Sequence, residues 1–226
     1  MLQELLKIFR PGDPFNRLAG DFSKMLDLAC GMTMSAGEIF FGESSPSEDR
    51  TALYKRDVKV NKLERSIRRG VVAHLSLPGN RGSIPYCLVL MSLVKDVERL
   101  GDYAKNLSEV ADFYDREFPD DKVTAELRQI RAGVEEAFKS APEILKNSDR
   151  EGAMTMIQEG LQLAKRSDGL LIRIAASNHP SDLTTALALG ARYYKRIGAH
   201  IVNLLTSVVM PIHKLDYFDE DAAPDG

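Results

Sequence analysis

Two stretches of this chain lie in register 97 residues apart: Arg99, Gly101 and Asn106 fall on Arg196, Gly198 and Asn203. A shared R-x-G-x4-N spacing inside long apolar-periodic segments marks an internal duplication. Duplication restricts the fold to two like units that pack on each other. Each copy is preceded by another long helical segment that ends in a Pro-containing turn. The chain therefore reads as three helices, twice over.

The apolar spacing predicts six long helices, over roughly 15–41, 48–77, 83–116, 122–146, 150–177 and 183–210. Turns rich in Gly, Pro, Asn and Asp separate them, as at Pro78-Gly79-Asn80-Arg81-Gly82. Ser47, Asp120 or Asp121, and Ser181 or Asp182 are the expected N-caps, since their side-chain oxygens can accept free helix N–H groups. Met25, Met32 and Met34 are read as fillers of core gaps. Leu2, Leu5, Leu6 and Phe9 line one face of a short extra helix before Pro11. It is expected to pack on the body of the protein, with a membrane contact as the alternative. The fold class is thus all-α, with two tandem three-helix bundles. The units expected are 1–14 (short helix and turn), 15–118 (first bundle), 119–213 (second bundle) and 214–226 (acidic tail).

At 226 residues, 44% hydrophobic and 28% charged, the chain can bury a sizeable core. A net charge of −3 gives no global field that would favour nucleic acid. Cys30 and Cys87 are the only cysteines, which argues against a disulfide framework or a zinc site of Cys/His type. The longest apolar run, about Ile84 to Val94, falls short of a membrane span, and Met1 to Phe9 lack the core of a secretory signal. The expected location is the cytoplasm.

The chemistry concentrates on the second and third long helices. Glu98 and Asp102 are four residues apart, one turn above each other, and they border the core stripe of their helix. Asp57 interrupts the stripe of Leu53, Val60, Ile67 and Val71, with Asn61 one turn on, and Glu64 interrupts it further along. An acid on a core line is costly unless it is paired or bound to a cation. Asp57, Asn61, Glu98 and Asp102 could therefore meet between facing helices as an all-oxygen ligand set, which suits hard cations such as Mg²⁺, Mn²⁺, Ca²⁺ or iron. Gly101, mid-helix, is expected to mark a close helix crossing or a ligand. Lys55, Lys59, Lys62, Arg65 and Arg69 read as a solvated face, with a docking surface for an acidic or phosphate-bearing partner as the alternative. His200 reads as a packing or hydrogen-bonding residue rather than a ligand. The chain contains no Glu-x-x-His, phosphate loop, nucleophile elbow or kinase motif, which argues against an enzyme.

Val97-Glu98-Arg99-Leu100-Gly101-Asp102-Tyr103-Ala104-Lys105-Asn106 resembles the signature helix of the PhoU family, roughly LERIGD(H/Y)xxN. The resemblance covers about residues 15–210 and implies two repeats of three helices with metal clusters held by E(D)xxxD motifs. It implies a regulator of phosphate uptake and signalling that acts with a phosphate transporter and a phosphate-sensing histidine kinase, can associate peripherally with the membrane through those partners, and can form a homodimer. The metal would be iron, manganese, magnesium or zinc. The sequence departs from the pattern at Asn61, where an acid is usual, and in the second copy, where Lys195 and Ala199 stand in place of the two acids. A cation is therefore expected only in the first bundle. A carboxylate-site enzyme and a metal-free structural adaptor are the competing readings.

Overall fold

The computed structural model describes residues 15–44 and 46–218. The expected N-terminal helix and most of the acidic tail lie outside them. Six long helices follow one another: α1 (Phe15–Phe40), α2 (Pro46–Leu75), α3 (Ile84–Glu109), α4 (Lys122–Asn147), α5 (Arg150–Ala175) and α6 (Ser181–Val209). Short 3₁₀ turns precede α3, follow it, and follow α6. No strand occurs among the described residues. Helices α1, α2 and α3 pack on one another, as do α4, α5 and α6. The two bundles meet mainly along α3 and α6, and also where α1 lies on α4.

Each helix buries one stripe. In α2 the stripe is Leu53, Val60, Ile67 and Val71, all at or near zero exposure, and on α1 Met25 and Met32 are fully buried. Asp121 caps α4 by accepting the N–H groups of Val123 and Thr124 at 2.9 and 2.8 Å. Asp149 caps α5 through Gly152 N–H at 3.0 Å. Two expected caps differ. Helix α2 begins at Pro46, whose fixed φ suits a first helical position, so Ser47 lies inside the helix. Pro180 stands at the N-cap of α6 without a side-chain bond, while Asp182 pairs with Arg116 instead.

The motif helix also stops earlier than its periodicity predicts, at Glu109 rather than near residue 116. Aromatic packing ends it. Tyr114 turns inward against Phe118, with ring centroids 5.0 Å apart, and donates its hydroxyl to the Glu117 carbonyl at 3.0 Å. Phe118 in turn packs on Phe40 and Phe41 at the end of α1. Phe40 lies edge-on to Tyr194 of α6. Around this cluster runs a charged seam: Glu43 pairs with Arg128 and Arg131, and both guanidinium groups lie over the Phe41 ring.

Gly101 does not mark the close crossing its sequence position led us to expect. A Cβ there would meet only the Met32 methyl at 3.5 Å and Val60 at 3.8 Å, ordinary contact distances. A tight approach against a rigid neighbour is found instead at Gly190 on α6, where a Cβ would stand 2.4 Å from Cζ of Phe40, a ring held by three other aromatics. Overpacking of this kind costs about 1–3 kcal/mol, partly offset by the better helix propensity of Ala. Gly190→Ala is expected to lower the thermal midpoint by roughly 2–8 °C, whereas Gly101→Ala leaves it unchanged or raises it. Parallel melts followed by circular dichroism compare the two.

Candidate metal centre

Asp57 is buried, as its place on the core line requires. Its Oδ2 accepts from the amide of Asn61 at 3.3 Å and from the ammonium of Lys105, on α3, at 3.4 Å. Lys105 Nζ is also 3.5 Å from Asp102 Oδ1. The other oxygen of Asp102 pairs with Arg99 at 3.3 Å. Asp57, Asn61 and Asp102 are thus brought together, and the positive charge between the two carboxylates is the Lys105 ammonium. Burial works against that charge, but Asp57 and then Asp102 outweigh it and push the Lys105 pKa upward.

Glu98 makes no contact with Lys105 and is linked to this group through Arg99, which pairs with both Glu98 and Asp102. It accepts from Lys95 Nζ at 2.7 Å and lies 3.7 Å from Arg99 Nε, with its side chain largely covered. Glu64, the other acid on the α2 stripe, is held by Arg68 at 2.9 Å. Among the described residues no three or more His, Cys, Asp or Glu side chains stand close enough to share a metal ion. The ligand set read from the sequence therefore fits a cation in part. Asp57 and Asp102 converge on one positive group, Asn61 supports Asp57, and Glu98 serves two cationic side chains of its own helix. Periodicity could not show Lys105 in this role, because a lysine on a helix border reads as solvated.

In the second bundle the sign at the Glu98 position is reversed. Lys195, the counterpart of Glu98, reaches both oxygens of Asp168 on α5 at 2.6 Å. Asp168 was not singled out by sequence reasoning, and only its helical side relative to Lys195 could have hinted at it.

A further polar group joins the bundles. Asp96 of α3 is buried, and its Oδ1 lies 2.7 Å from His200 Nδ1 and accepts from Asn203 at 3.3 Å. His200 also stacks on Tyr103 with ring centroids 5.6 Å apart, and Arg196 donates to the Tyr103 hydroxyl at 3.2 Å. His200 is thus a packing and hydrogen-bonding residue, as its sequence context indicated. Asp216 approaches the same group after the chain leaves α6, and its N–H donates to Thr206 Oγ1 at 3.4 Å. Asp216 is exposed, but partial desolvation of its carboxyl first, and then the charge of Asp96, push it up, with His200 pulling the other way.

An acid whose pKa is raised on folding favours the folded state when protonated. That contribution is complete below the unfolded value of 3.8 and is lost as pH rises through the folded value. Asp216→Asn should therefore melt higher than the parent chain at neutral pH. The gap should close as pH falls toward about 3.8. Paired melts across that pH range measure it.

Residues 22–111, which run from within α1 to the end of α3, match the family described as the PhoU domain. The fold is shared with PhoU from Pseudomonas aeruginosa, with a TM-score of 0.79 at 18% identity over 88% of this chain and 97% of that one. It is also shared with the phosphate transport system regulatory protein PhoU from Streptococcus pneumoniae, with a TM-score of 0.71 at 15% identity over 91% and 97%. No curated protein matches the sequence.

Proposed function

We propose that this chain, which carries a PhoU domain over residues 22–111, is a non-catalytic regulator that restrains phosphate uptake and phosphate signalling. The domain match carries the reading. The fold shared with a protein named for regulating phosphate transport supports it. Among the described residues no helix is long and apolar enough to cross a membrane. In this reading the protein works in the cytoplasm, as a monomer or homodimer, and reaches the bilayer by docking on a phosphate transporter and its sensor histidine kinase. A strain without the chain should take up phosphate and express phosphate-starvation genes even in phosphate-rich medium, and the wild-type chain should reverse both. Unchanged uptake and expression would sink the proposal.

The metal reading is proposed with it. Asp57, Glu98 and Asp102, assisted by Asn61, would hold an iron, manganese, magnesium or zinc ion in the first bundle once Glu98 turns from Lys95 and Arg99 and the ion displaces the Lys105 ammonium. Such an ion would tie α2 to α3 and offer a positive anchor to acidic or phosphate-bearing groups. The metal-free adaptor is the second reading, favoured by one observation: Lys105 already supplies a positive charge to both Asp57 and Asp102.

Lys105→Ala separates the two. It leaves Asp57 buried with Asn61 alone, at a cost of about 1–3 kcal/mol. If a metal competes for the site, the variant should bind Mn²⁺ roughly tenfold more tightly by calorimetry, about 1.4 kcal/mol. Added Mn²⁺ should then restore its melting temperature, and a Glu98→Ala/Asp102→Ala chain should bind none. A variant that melts lower and stays indifferent to Mn²⁺ leaves the adaptor.

A further inference from the structure

The outer side of the first bundle has a groove that the carboxylate cluster does not use. It lies between α1 and α2, is open to solvent with a volume of about 560 Å³, and is lined by Lys24, Asp27, Leu28, Lys59, Lys62 and Leu63. Leu28 and Leu63 are partly buried against the core and form its floor. Lys59 and Lys62 are exposed on its α2 rim, facing Lys24 on α1. None of these three lysines has an ion pair among the described residues, unlike Lys95, Lys105 and Lys195.

The α2 rim continues as a ridge. Lys55, Lys59, Lys62 and Arg69 recur at helical spacing on one side, with Arg65 beside them, all exposed. The ridge spans about 21 Å at 1.5 Å per residue. The two acids within this stretch turn elsewhere: Asp57 is buried against Lys105, and Glu64 is held by Arg68. Asp27 is the one carboxylate that lines the groove. On a chain whose net charge is −3, this is a concentrated positive strip over an apolar floor.

We infer that this groove docks an acidic amphipathic helix of a partner protein. Its apolar side chains would lie on Leu28 and Leu63, and its carboxylates would meet the lysine rim, in the manner of a helix in a groove. The lining selects this occupant over others. All six lining residues lie inside helices, whose backbone N–H groups are already used, and none is an arginine, so the groove offers a free phosphate no cradle. Its apolar lining is two leucines, too little to hold the chain in a bilayer. The inference rests on the docking reading above and names the surface and the chemistry of what docks there.

The probe is a fluorescein-labelled synthetic peptide of about 14 residues, the length of the ridge, with leucines at helical spacing and glutamates between them. Its anisotropy on titration with the full chain should saturate, and the affinity should fall as salt rises. Lys59→Glu/Lys62→Glu should weaken binding at least roughly tenfold. Leu63→Gln should weaken it while leaving the salt dependence in place. Lys122→Glu/Lys165→Glu, the same charge change on the other bundle, should bind like the wild type. Melting curves establish that each variant is folded. The inference is overturned if the acidic peptide does not bind, if both double variants bind alike, if a lysine–leucine peptide binds equally well, or if phosphatidylserine vesicles bind through Lys59 and Lys62 while the peptide does not. Failure here with intact phosphate control in cells removes the groove alone; loss of phosphate control in cells with intact peptide binding removes the regulatory reading alone.

Discussion

A carboxylate inside a helical core needs a positive partner, and Asp57 sets that requirement for the first bundle. Isolated burial of the charged group would cost several kcal/mol. The ammonium of Lys105, across the α2–α3 interface, offsets that cost and bridges to Asp102. The pair also specifies register. Sliding α3 by one turn would bring Glu109 or Gly101 opposite Asp57, a like charge or no charge at all. The apolar residues of both helices tolerate such a slide better than the charges do, since their stripes repeat with the same period. The charge pair therefore distinguishes alignments that hydrophobic burial leaves close in energy.

The duplication shows how one helical pattern can hold different chemistry. Arg, Gly and Asn recur in both motif helices, yet the copies use them differently. Arg99 stays on its own helix beside Asp102, whereas Arg196 reaches across to Tyr103. Asn203 donates across the seam to Asp96 on α3. In the second copy the lysine sits on the motif helix and the acid on the helix before it, so Lys195 and Asp168 join α6 to α5 much as Lys105 and Asp57 join α3 to α2. The second bundle thus keeps a charged tie between its last two helices without keeping a pair of adjacent acids. The motif of the second copy is given over to holding the bundles together.

The sequence carried the architecture because helices announce themselves locally. Six apolar periodicities separated by Gly and Pro turns, and a repeat in fixed register, are visible within windows of a few turns. The burial of Asp57 followed from its place on the Leu53–Val60–Ile67 line, and the packing role of His200 followed from its position in the second motif copy, where the resembled pattern carries His or Tyr. What stayed hidden depends on pairs far apart in the chain. Lys105 meets Asp57 from 48 residues away, and His200 meets Asp96 from 104. Neither distance leaves a periodic trace. The early end of α3 is of the same kind, because Tyr114 and Phe118 are drawn to rings contributed by α1. Gly101 misled for a simpler reason: the residue facing it is Met32, a flexible side chain that leaves room for a Cβ.

Helix α2 brings these constraints together. Its buried line is narrow, with Leu53, Val60, Ile67 and Val71 spread over a helix that is otherwise largely charged. A helix with so thin an apolar stripe is poorly fixed in rotation by hydrophobic burial alone, since a small turn about its axis changes the buried area little. The charges remove that freedom. Rotation one way would draw Asp57 off Lys105 into an uncompensated position, and rotation the other way would press unpaired lysines against the core. Opposite charge on the two sides of α2 thus holds Asp57 against α3 and keeps the outer cations in water. The same division that stabilises the packing is what leaves a positive surface beside α1 available for recognition.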